Sequence, residues 1–211
     1  VEDSTRALSA EAIEKVVAQL KAEGNKAVVV VVNMMTTMFG SVDQPAAYIE
    51  ALNAAGLPFK MHVDGAYGGF FYPFSGEKNI PDFSIPEITS VTLDAHKMVQ
   101  APYGTGMFII RKGWMQYAAT KEASYVEGED STLIGSRSGA NAVAIWMILS
   151  TYGPYAWREK IFVLQKRTDW LEDQLKNRGV QYFRQASSNI ITIKAEHVPH
   201  ELAAQFVLVP D

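Results

Sequence analysis

The run "KAVVVVVN", Lys26 to Asn33, decides how this chain is interpreted. Its continuous β-branched core is typical of a strand that is covered on both faces in a parallel sheet. The segment before it begins at Ser9, a residue suited to cap a helix, and ends at Gly24, with apolar residues at helical spacing between them. A helix followed by a buried strand favours an α/β fold.

The next segments continue this alternation of helix and strand. "PAAYIEALNAAGLP" predicts a second helix that Gly56 closes, and "FKMHVD" predicts a short strand after it. Two further strands are predicted at "SVTLD" and "GMFIIRK". Because crossovers between parallel strands are short and right-handed, we expect a mainly parallel sheet with flanking helices.

The pattern becomes helical after the last of these strands. A helical period covers "NAVAIWMILSTYG" and the residues up to Gly179, with Gly153 and Pro154 as an interruption. "VQYFRQ" and "NIITIKAE" then predict two more strands. We therefore expect one domain over residues 1–150 and the start of a small α+β domain over residues 151–211.

Composition narrows the class of partner. The 211 residues are 48% hydrophobic, enough for one core of ordinary size. The formal net charge is -4 and the chain has no Lys/Arg cluster, which argues against binding to nucleic acid or to an anionic membrane surface. We expect a small-molecule partner.

The ends of the chain and its lack of cysteine bear on location and completeness. No apolar run reaches the length of a membrane span, and the first residues do not resemble a secretory signal, so we expect a cytoplasmic protein. The absence of cysteine excludes thiolate chemistry. Because the chain begins at Val1 and stops within the apolar run "AAQFVLVPD", we expect a segment of a longer protein.

Polar residues follow three of the predicted strands, at Asn33 to Thr37, Asp64 to Gly69 and Asp94 to Lys97. Ligands of open α/β sheets bind outside the carboxyl ends of the strands, so these residues form a candidate site. A lysine with a carboxylate at a neighbouring strand end suits an aldehyde cofactor, which the amine binds covalently while the carboxylate keeps a pyridine nitrogen protonated. The glycines after Asp64 would allow close approach of a flat ring, although taken by themselves they favour a simple glycine-rich turn.

Other segments resemble known functional motifs at first sight but lack a residue that each motif requires. "GSRSG", Gly135 to Gly139, has Arg137 where a nucleophile elbow needs serine, and "YGTGM" lacks the third glycine of a dinucleotide fingerprint. The pairs His62 with Asp64 and His197 with His200 lack a third ligand at useful spacing. We expect no metal site.

Four ordered motifs resemble the group II pyridoxal-phosphate-dependent amino-acid decarboxylases of fold type I. They are "TTMFGSVDQP", "HVDGAYGG", "TLDAHKM" and "GSRSGANAVAIWMIL", and together they span most of the chain. The resemblance implies that residues 1–150 are the second half of the large cofactor-binding domain. Residues 151–211 would begin the small C-terminal domain.

The resemblance also implies roles for individual residues. Lys97 would hold pyridoxal 5'-phosphate covalently, in a buried position, and Asp64 would pair with the pyridine nitrogen. Around the cofactor, Ala66 would pack on the ring, Thr37 would lie near its substituent, His96 would contact the phosphate or substrate side, and Asp94 would support the phosphate through water.

Further implied roles concern a loop and a partner subunit. In "KEASYVEGEDST", Tyr125 occupies the place of the family's loop tyrosine, which protonates the reacting carbon. Gly135 and Ser136 would contact the phosphate bound to the other subunit of a homodimer. The implied reaction is decarboxylation of an L-amino acid to an amine and carbon dioxide.

The sequence departs from the family pattern and leaves alternatives open. "VNMMTT" replaces a small, glycine-containing run, so Met34 and Met35 are expected to reshape the pocket wall. The family's serine-rich phosphate loop and ring-stacking residue have no counterpart in this chain. An aminotransferase, a carbon-carbon lyase and a non-catalytic cofactor-binding paralogue remain alternatives, and the substrate is not readable.

Overall fold

The computed structural model describes residues 6–117 and 137–208. Its main sheet contains β1 (Val28–Asn33), β2 (Phe59–Asp64), β3 (Ile88–Asp94) and β4 (Gly106–Ile110), in that spatial order. The first three strands are parallel, and β4 runs antiparallel to β3. The expected mainly parallel sheet is confirmed.

Two helices flank this sheet, and their ends follow the sequence signals. In α1 (Ala10–Ala22), the Ser9 side chain accepts a hydrogen bond from the Ala12 amide at 3.2 Å and so caps the first turn. In α2 (Pro45–Ala55), Gly56 takes the left-handed conformation (φ 64°) that ends a helix without steric cost. Both predicted helices are confirmed.

The core lies on one face of the sheet. Ile13 and Val17 of α1 and Leu52 of α2 pack in one buried cluster with alternate residues of β1 and β2, including Val32 and Met61. Side chains alternate between the two faces of a strand, so this packing covers only one face of β1.

The opposite face of β1 is open in the described part of the chain. Val29 is 73% exposed and Val31 is 51% exposed. Among the described residues, α1 and α2 pack on the core face and none covers Val29 and Val31. Coverage of the valine run on both faces stays a prediction for the full-length protein.

The remaining elements follow the main sheet along the chain. A long helical segment, α3 (Gly139–Asn177), is interrupted at Gly153, whose backbone is not helical (φ 61°, ψ 180°), as the sequence predicts. A small antiparallel pair, β5 (Tyr182–Phe183) with β6 (Thr192–Ile193), precedes the short α4 (His200–Gln205). The division at residue 150 stays a prediction. In the described ranges, no helix is both long and apolar enough for a membrane span.

Arg184 joins the small β5–β6 unit to α3. Its guanidinium is only 8% exposed and lies 2.6 Å from Glu172 and 2.9 Å from Asp169, while its Nε donates to the Ser188 carbonyl. Burial alone raises the pKa of Glu172, but hydrogen bonds from Tyr182 and Arg184, among others, outweigh it and lower the pKa to about 2. Through these contacts, Arg184 braces the C-terminal segment, that is, it holds this segment in place against α3.

We expect Arg184→Met to destabilise the full-length protein by about 3 kcal/mol, because it leaves two partly buried carboxylates without their shared cation. Urea unfolding followed by circular dichroism measures this cost. Arg178→Met is the matched control, since the Arg178 side chain is exposed and its hydrogen bonds within the described chain are to Gln174. The control should change stability by less than about 0.5 kcal/mol. Equal effects of the two substitutions would contradict the bracing role.

Candidate active site

The carboxyl ends of β1, β2 and β3 meet at one edge of the sheet. In the ladder, Asn33 lies opposite Asp64, and Asp64 lies opposite Thr92. Backbone hydrogen bonds continue beyond the strands, from the Met34 amide to the Asp64 carbonyl (2.9 Å) and from the Asp94 amide to the Ala66 carbonyl (3.1 Å). The predicted convergence of the three strand ends is therefore confirmed.

Lys97 lies in the turn that follows β3. Its Nζ is 3.0 Å from Asp94 Oδ2, and its amide donates to the Asp94 carbonyl at 3.1 Å. Its side chain is 40% exposed, whereas that of Asp94 is 20% exposed. Lys97 is therefore partly exposed in the described chain, and its burial in the full-length protein stays a prediction.

His96 lies beside this ion pair. Its Nε2 is 3.9 Å from Asp94 Oδ2, and its ring lies 5.3 Å from the ring of Tyr103. Its Nδ1 is buried and, among the described residues, has no hydrogen-bond partner. A buried ring nitrogen of this kind is suited to a bond with a ligand.

Asp64 presents its carboxylate at the end of β2. The side chain is exposed, and its Oδ1 accepts a hydrogen bond from the Ala66 amide at 3.1 Å. This short turn holds the carboxylate next to the half-buried Ala66 methyl group. The turn thus presents a fixed negative charge beside a small apolar surface.

A cleft of about 860 Å³ opens beside Lys97 and is bounded on its far side by α3. Tyr67, which follows Ala66, and Asn189 of the C-terminal segment both line it, and the Asn189 amide donates to the Tyr67 hydroxyl at 2.8 Å. Sequence reasoning did not select these two residues. The position of Tyr67 within "HVDGAYGG" was the available signal, whereas Asn189 joins the cleft only through tertiary packing.

Comparison with known proteins adds to this geometry. Residues 2–192 match the family described as the pyridoxal-dependent decarboxylase conserved domain. The chain belongs to this decarboxylase family. It is 48% identical over 207 residues to a tryptophan decarboxylase from Clostridium sporogenes, an alignment that covers 98% of this chain and 50% of that protein. It is 32% identical over 181 residues to an L-aspartate decarboxylase from Thermococcus kodakarensis, covering 81% of this chain and 47% of that protein.

Solved structures of other proteins share the fold of this chain. An L-methionine decarboxylase from Streptomyces sp. 590 matches with a TM-score of 0.80 at 21% identity, covering 98% of this chain and 50% of that one. A sphingosine-1-phosphate lyase from Burkholderia pseudomallei matches with a TM-score of 0.72 at 21% identity, covering 87% and 42%. The fold is that of the fold type I pyridoxal-phosphate enzymes. The chain spans about half the length of the curated relatives it matches.

The donor set of this family member fits a pyridoxal phosphate site. Lys97 offers a primary amine, Asp64 a carboxylate held by the Ala66 amide, and His96 a buried nitrogen without a partner among the described residues. An aldehyde-bearing pyridine needs an amine and an anion of this kind. No group of three metal-ligating side chains occurs in the ranges 6–117 and 137–208, and the expected absence of a metal remains a prediction.

The glycines after Asp64 have a packing role. A Cβ added to Gly68 would overlap the Met34 carbonyl, and one added to Gly69 would overlap the Leu93 side chain. At Gly65 it would lie 3.1 Å from the Thr92 carbonyl. Packing of the turn against its neighbours therefore requires glycine at these positions, a reason that was not considered from the sequence, and close approach of a cofactor ring stays a prediction.

The segment after β1 contains two buried methionines and an exposed threonine. Met34 and Met35 are 3% and 4% exposed and pack in the core, and their effect on the pocket wall stays a prediction. Thr37 is exposed and lines a separate apolar groove of about 440 Å³ together with Ile190 and neighbouring residues. The chain reverses between Met34 and Val42, which pair antiparallel, and Thr37 lies in the turn that the Gly40 amide closes by donating to the Thr36 carbonyl (2.8 Å).

Three of the residues assigned by resemblance, Tyr125, Gly135 and Ser136, lie outside the described residues. Their assignments stay predictions. The structure gives the positions of Thr37, Asp94 and the other described cofactor-binding residues, but their roles also stay predictions.

His62 lies on β2 two residues before Asp64. Its Nδ1 is 2.8 Å from Ser90 Oγ and its Nε2 is 3.1 Å from Thr92 Oγ1, and its ring stacks on Phe108. Burial lowers the pKa of His62 below its ordinary value, and the negative charge of Asp64 opposes this with a smaller upward effect. The neutral ring thus bridges β2 and β3.

We expect the full-length protein to lose stability as the pH falls from about 7.5 to about 5.5, and His62→Gln to lose less. A histidine whose pKa is lowered by folding binds protons more readily when unfolded, so acid favours the unfolded chain. Thermal unfolding at each pH measures the effect. His200→Gln serves as the control because His200 is exposed. A wild-type pH dependence that His62→Gln leaves unchanged would refute this role.

Proposed function

We propose that the full-length protein decarboxylates an aromatic L-amino acid with bound pyridoxal phosphate, and that tryptophan is the first substrate to test. The observation that carries this proposal is the placement of Lys97 and Asp64 on adjoining strand ends, tied together through the Asp94 amide and the Ala66 carbonyl. The 48% identity to a tryptophan decarboxylase supports the choice of substrate.

Lys97 and Asp64 would have different roles in the proposed reaction. Bound pyridoxal phosphate supplies a conjugated ring that accepts the electron pair left by departing carbon dioxide. Lys97 would hold the cofactor by its aldehyde carbon, and Asp64 would keep a proton on the pyridine nitrogen. Because an amine bonds to carbon only when unprotonated, Lys97 must give up the proton that favours its pairing with Asp94.

The neighbouring residues would orient the cofactor and the substrate. Ala66 would pack against the ring, and the Asp64–Ala66 hydrogen bond would prevent the carboxylate from turning away. The Nδ1 of His96, which has no hydrogen-bond partner within the described ranges, supports a role for that ring on the phosphate or substrate side. Asp94 would hold Lys97 in place before cofactor attachment and support the phosphate through water, with Thr37 near the ring substituent.

A homodimer with its active site at the subunit interface is part of the proposal. Gly135 and Ser136 would contact the phosphate in the other subunit. Light scattering of the full-length protein tests the dimer, and a monomer with full activity would exclude that arrangement. The expected cytoplasmic location stays a prediction that cell fractionation would test.

The rival reactions differ in their products. An aminotransferase would produce a keto acid and retain the carboxyl group, a carbon-carbon lyase would release an aldehyde, and a non-catalytic paralogue would bind cofactor without turnover. Decarboxylation is favoured because relatives at 32% and 48% identity are decarboxylases.

We expect the full-length protein to release carbon dioxide and tryptamine from tryptophan in equal amounts, and Lys97→Ala to reduce both to background. Radiolabelled carbon dioxide and chromatography of the amine measure them. Lys112→Ala is the control, since Lys112 is an exposed lysine just after β4, at the opposite edge of the sheet. Asp64→Asn should retain the attached cofactor and lose about 100-fold or more in kcat, the scale of one preorganised charge. Normal turnover by Lys97→Ala would end the proposal.

Tyr125 is proposed as the proton donor to the reacting carbon. Tyr125→Phe should slow amine formation and raise the share of misprotonated or oxidised side products, because the hydroxyl is the only group removed. Product analysis by mass spectrometry after complete substrate consumption checks this. An unchanged product profile at an unchanged rate would exclude Tyr125 from the reaction.

A further inference from the structure

The pairing of β2 with β3 contains a β-bulge at Thr89. Met61 lies opposite Ile88, but the next residue, His62, lies opposite Ser90. One extra residue therefore stands on β3 between these two pairs. Bulges of this kind bend a strand and redirect the side chains that follow.

The bulge decides which side chains of β3 enter the core. Ile88 and Val91 are both buried there, opposite Met61 and Val63. They are three positions apart, so in a regular strand they would point to opposite faces of the sheet. The extra residue restores the alternation, and it places Thr92 on the face of Asp64.

Two side chains hold the bulge in place. The Thr89 hydroxyl donates to the Met61 carbonyl at 2.9 Å, across the break in the ladder. From the other side, the Arg111 amide donates to the Thr89 carbonyl at 3.0 Å, and the Arg111 guanidinium donates to the carbonyls of Ile88 (2.7 Å), Phe83 (2.8 Å) and Ile85 (2.9 Å). Carbonyls on both sides of the bulge thus have fixed donors.

We propose that Thr89 and Arg111 are positioning residues for the proposed reaction, because the register they hold sets where Lys97 lies relative to Asp64. Asp64 ends β2 and Lys97 follows β3, so their relative position depends on how these two strands are paired. A slip of one residue moves one strand about 3.3 Å along the other and reverses its faces. Neither residue touches the strand-end site, and both act through the backbone. This inference rests on the proposed function.

The hydroxyl cluster on the other face of β2 follows from the same register. In the observed register, Ser90 and Thr92 lie opposite His62 and Asp64, and both hydroxyls reach the His62 ring. His62 would then report a change of register, because its two hydrogen bonds require both hydroxyls. Histidine side-chain resonances therefore offer a readout that is independent of catalysis.

The test uses Thr89→Val in the full-length protein with bound cofactor. Valine keeps the shape of threonine and removes the donor to Met61. We expect kcat for tryptophan to fall about tenfold, since small displacements of reacting groups carry penalties of this order. KM should change less than kcat, the pH midpoint of the bound cofactor's visible absorbance should move, and the His62 resonances should shift.

Thr89→Ser and Thr168→Val are the matched controls. Serine keeps the hydroxyl and should restore kcat to within about twofold of the wild type. Thr168 is also buried and donates to a backbone carbonyl, that of Leu164, at 2.9 Å, but it lies in α3. Thr168→Val should lower the melting temperature without changing the absorbance midpoint or the His62 resonances.

The outcomes separate this inference from the proposed function. If Thr89→Val leaves the absorbance midpoint, the His62 resonances and kcat at wild-type values, or changes them no more than Thr168→Val does, the positioning role is overturned. If Thr89→Val does not fold, Arg111→Lys provides the same readouts, since a lysine cannot reach all three carbonyls; wild-type values there also overturn the role. Failure of the wild type to release carbon dioxide overturns the proposed function, while the two spectroscopic readouts still decide the role of the bulge.

Discussion

Parallel pairing of β1, β2 and β3 is the constraint on which the rest of the site depends. Parallel strands have their carboxyl ends at the same edge of the sheet. The turns that follow neighbouring strands therefore begin next to each other. The ladder continues past the strands through backbone hydrogen bonds that join Met34 to Asp64 and Asp94 to Ala66. The turn after Asp64 and the turn that carries Lys97 therefore begin from fixed points, although neither turn is a regular element.

Electrostatics at this edge complement the backbone geometry. The Lys97 ammonium is paired with Asp94, and the Asp64 carboxylate is held by a backbone amide within its own turn. Because Lys97 is 40% exposed, solvent weakens its ion pair. The same charges interact more strongly where water is excluded. In the proposed reaction, the Lys97 amine would form the covalent bond to the cofactor and the Asp64 carboxylate would form the ionic one.

Much of the fold was predictable from local signals in the sequence. Ser9 caps α1 and Gly56 ends α2 because a side-chain acceptor and a left-handed glycine act on the neighbouring turn alone. The burial of β1 was not predictable in the same way. A run of valines shows that a strand is apolar on both faces, but only the positions of α1 and α2 show which face they cover.

The candidate site, like the fold, has features that the sequence predicts and features that only the tertiary structure shows. By itself, the sequence determined that an amine, a carboxylate and a small residue follow neighbouring strands, because motifs record which residues come after each strand. Tertiary structure alone decided that Asp94 pairs with Lys97, that the glycines accommodate Met34 and Leu93, and that Asn189 meets Tyr67. Tertiary structure also decided the register of β2 against β3, because the bulge at Thr89 depends on which side chains are buried in the core. These are contacts between distant segments, and their geometry depends on packing that no local pattern contains.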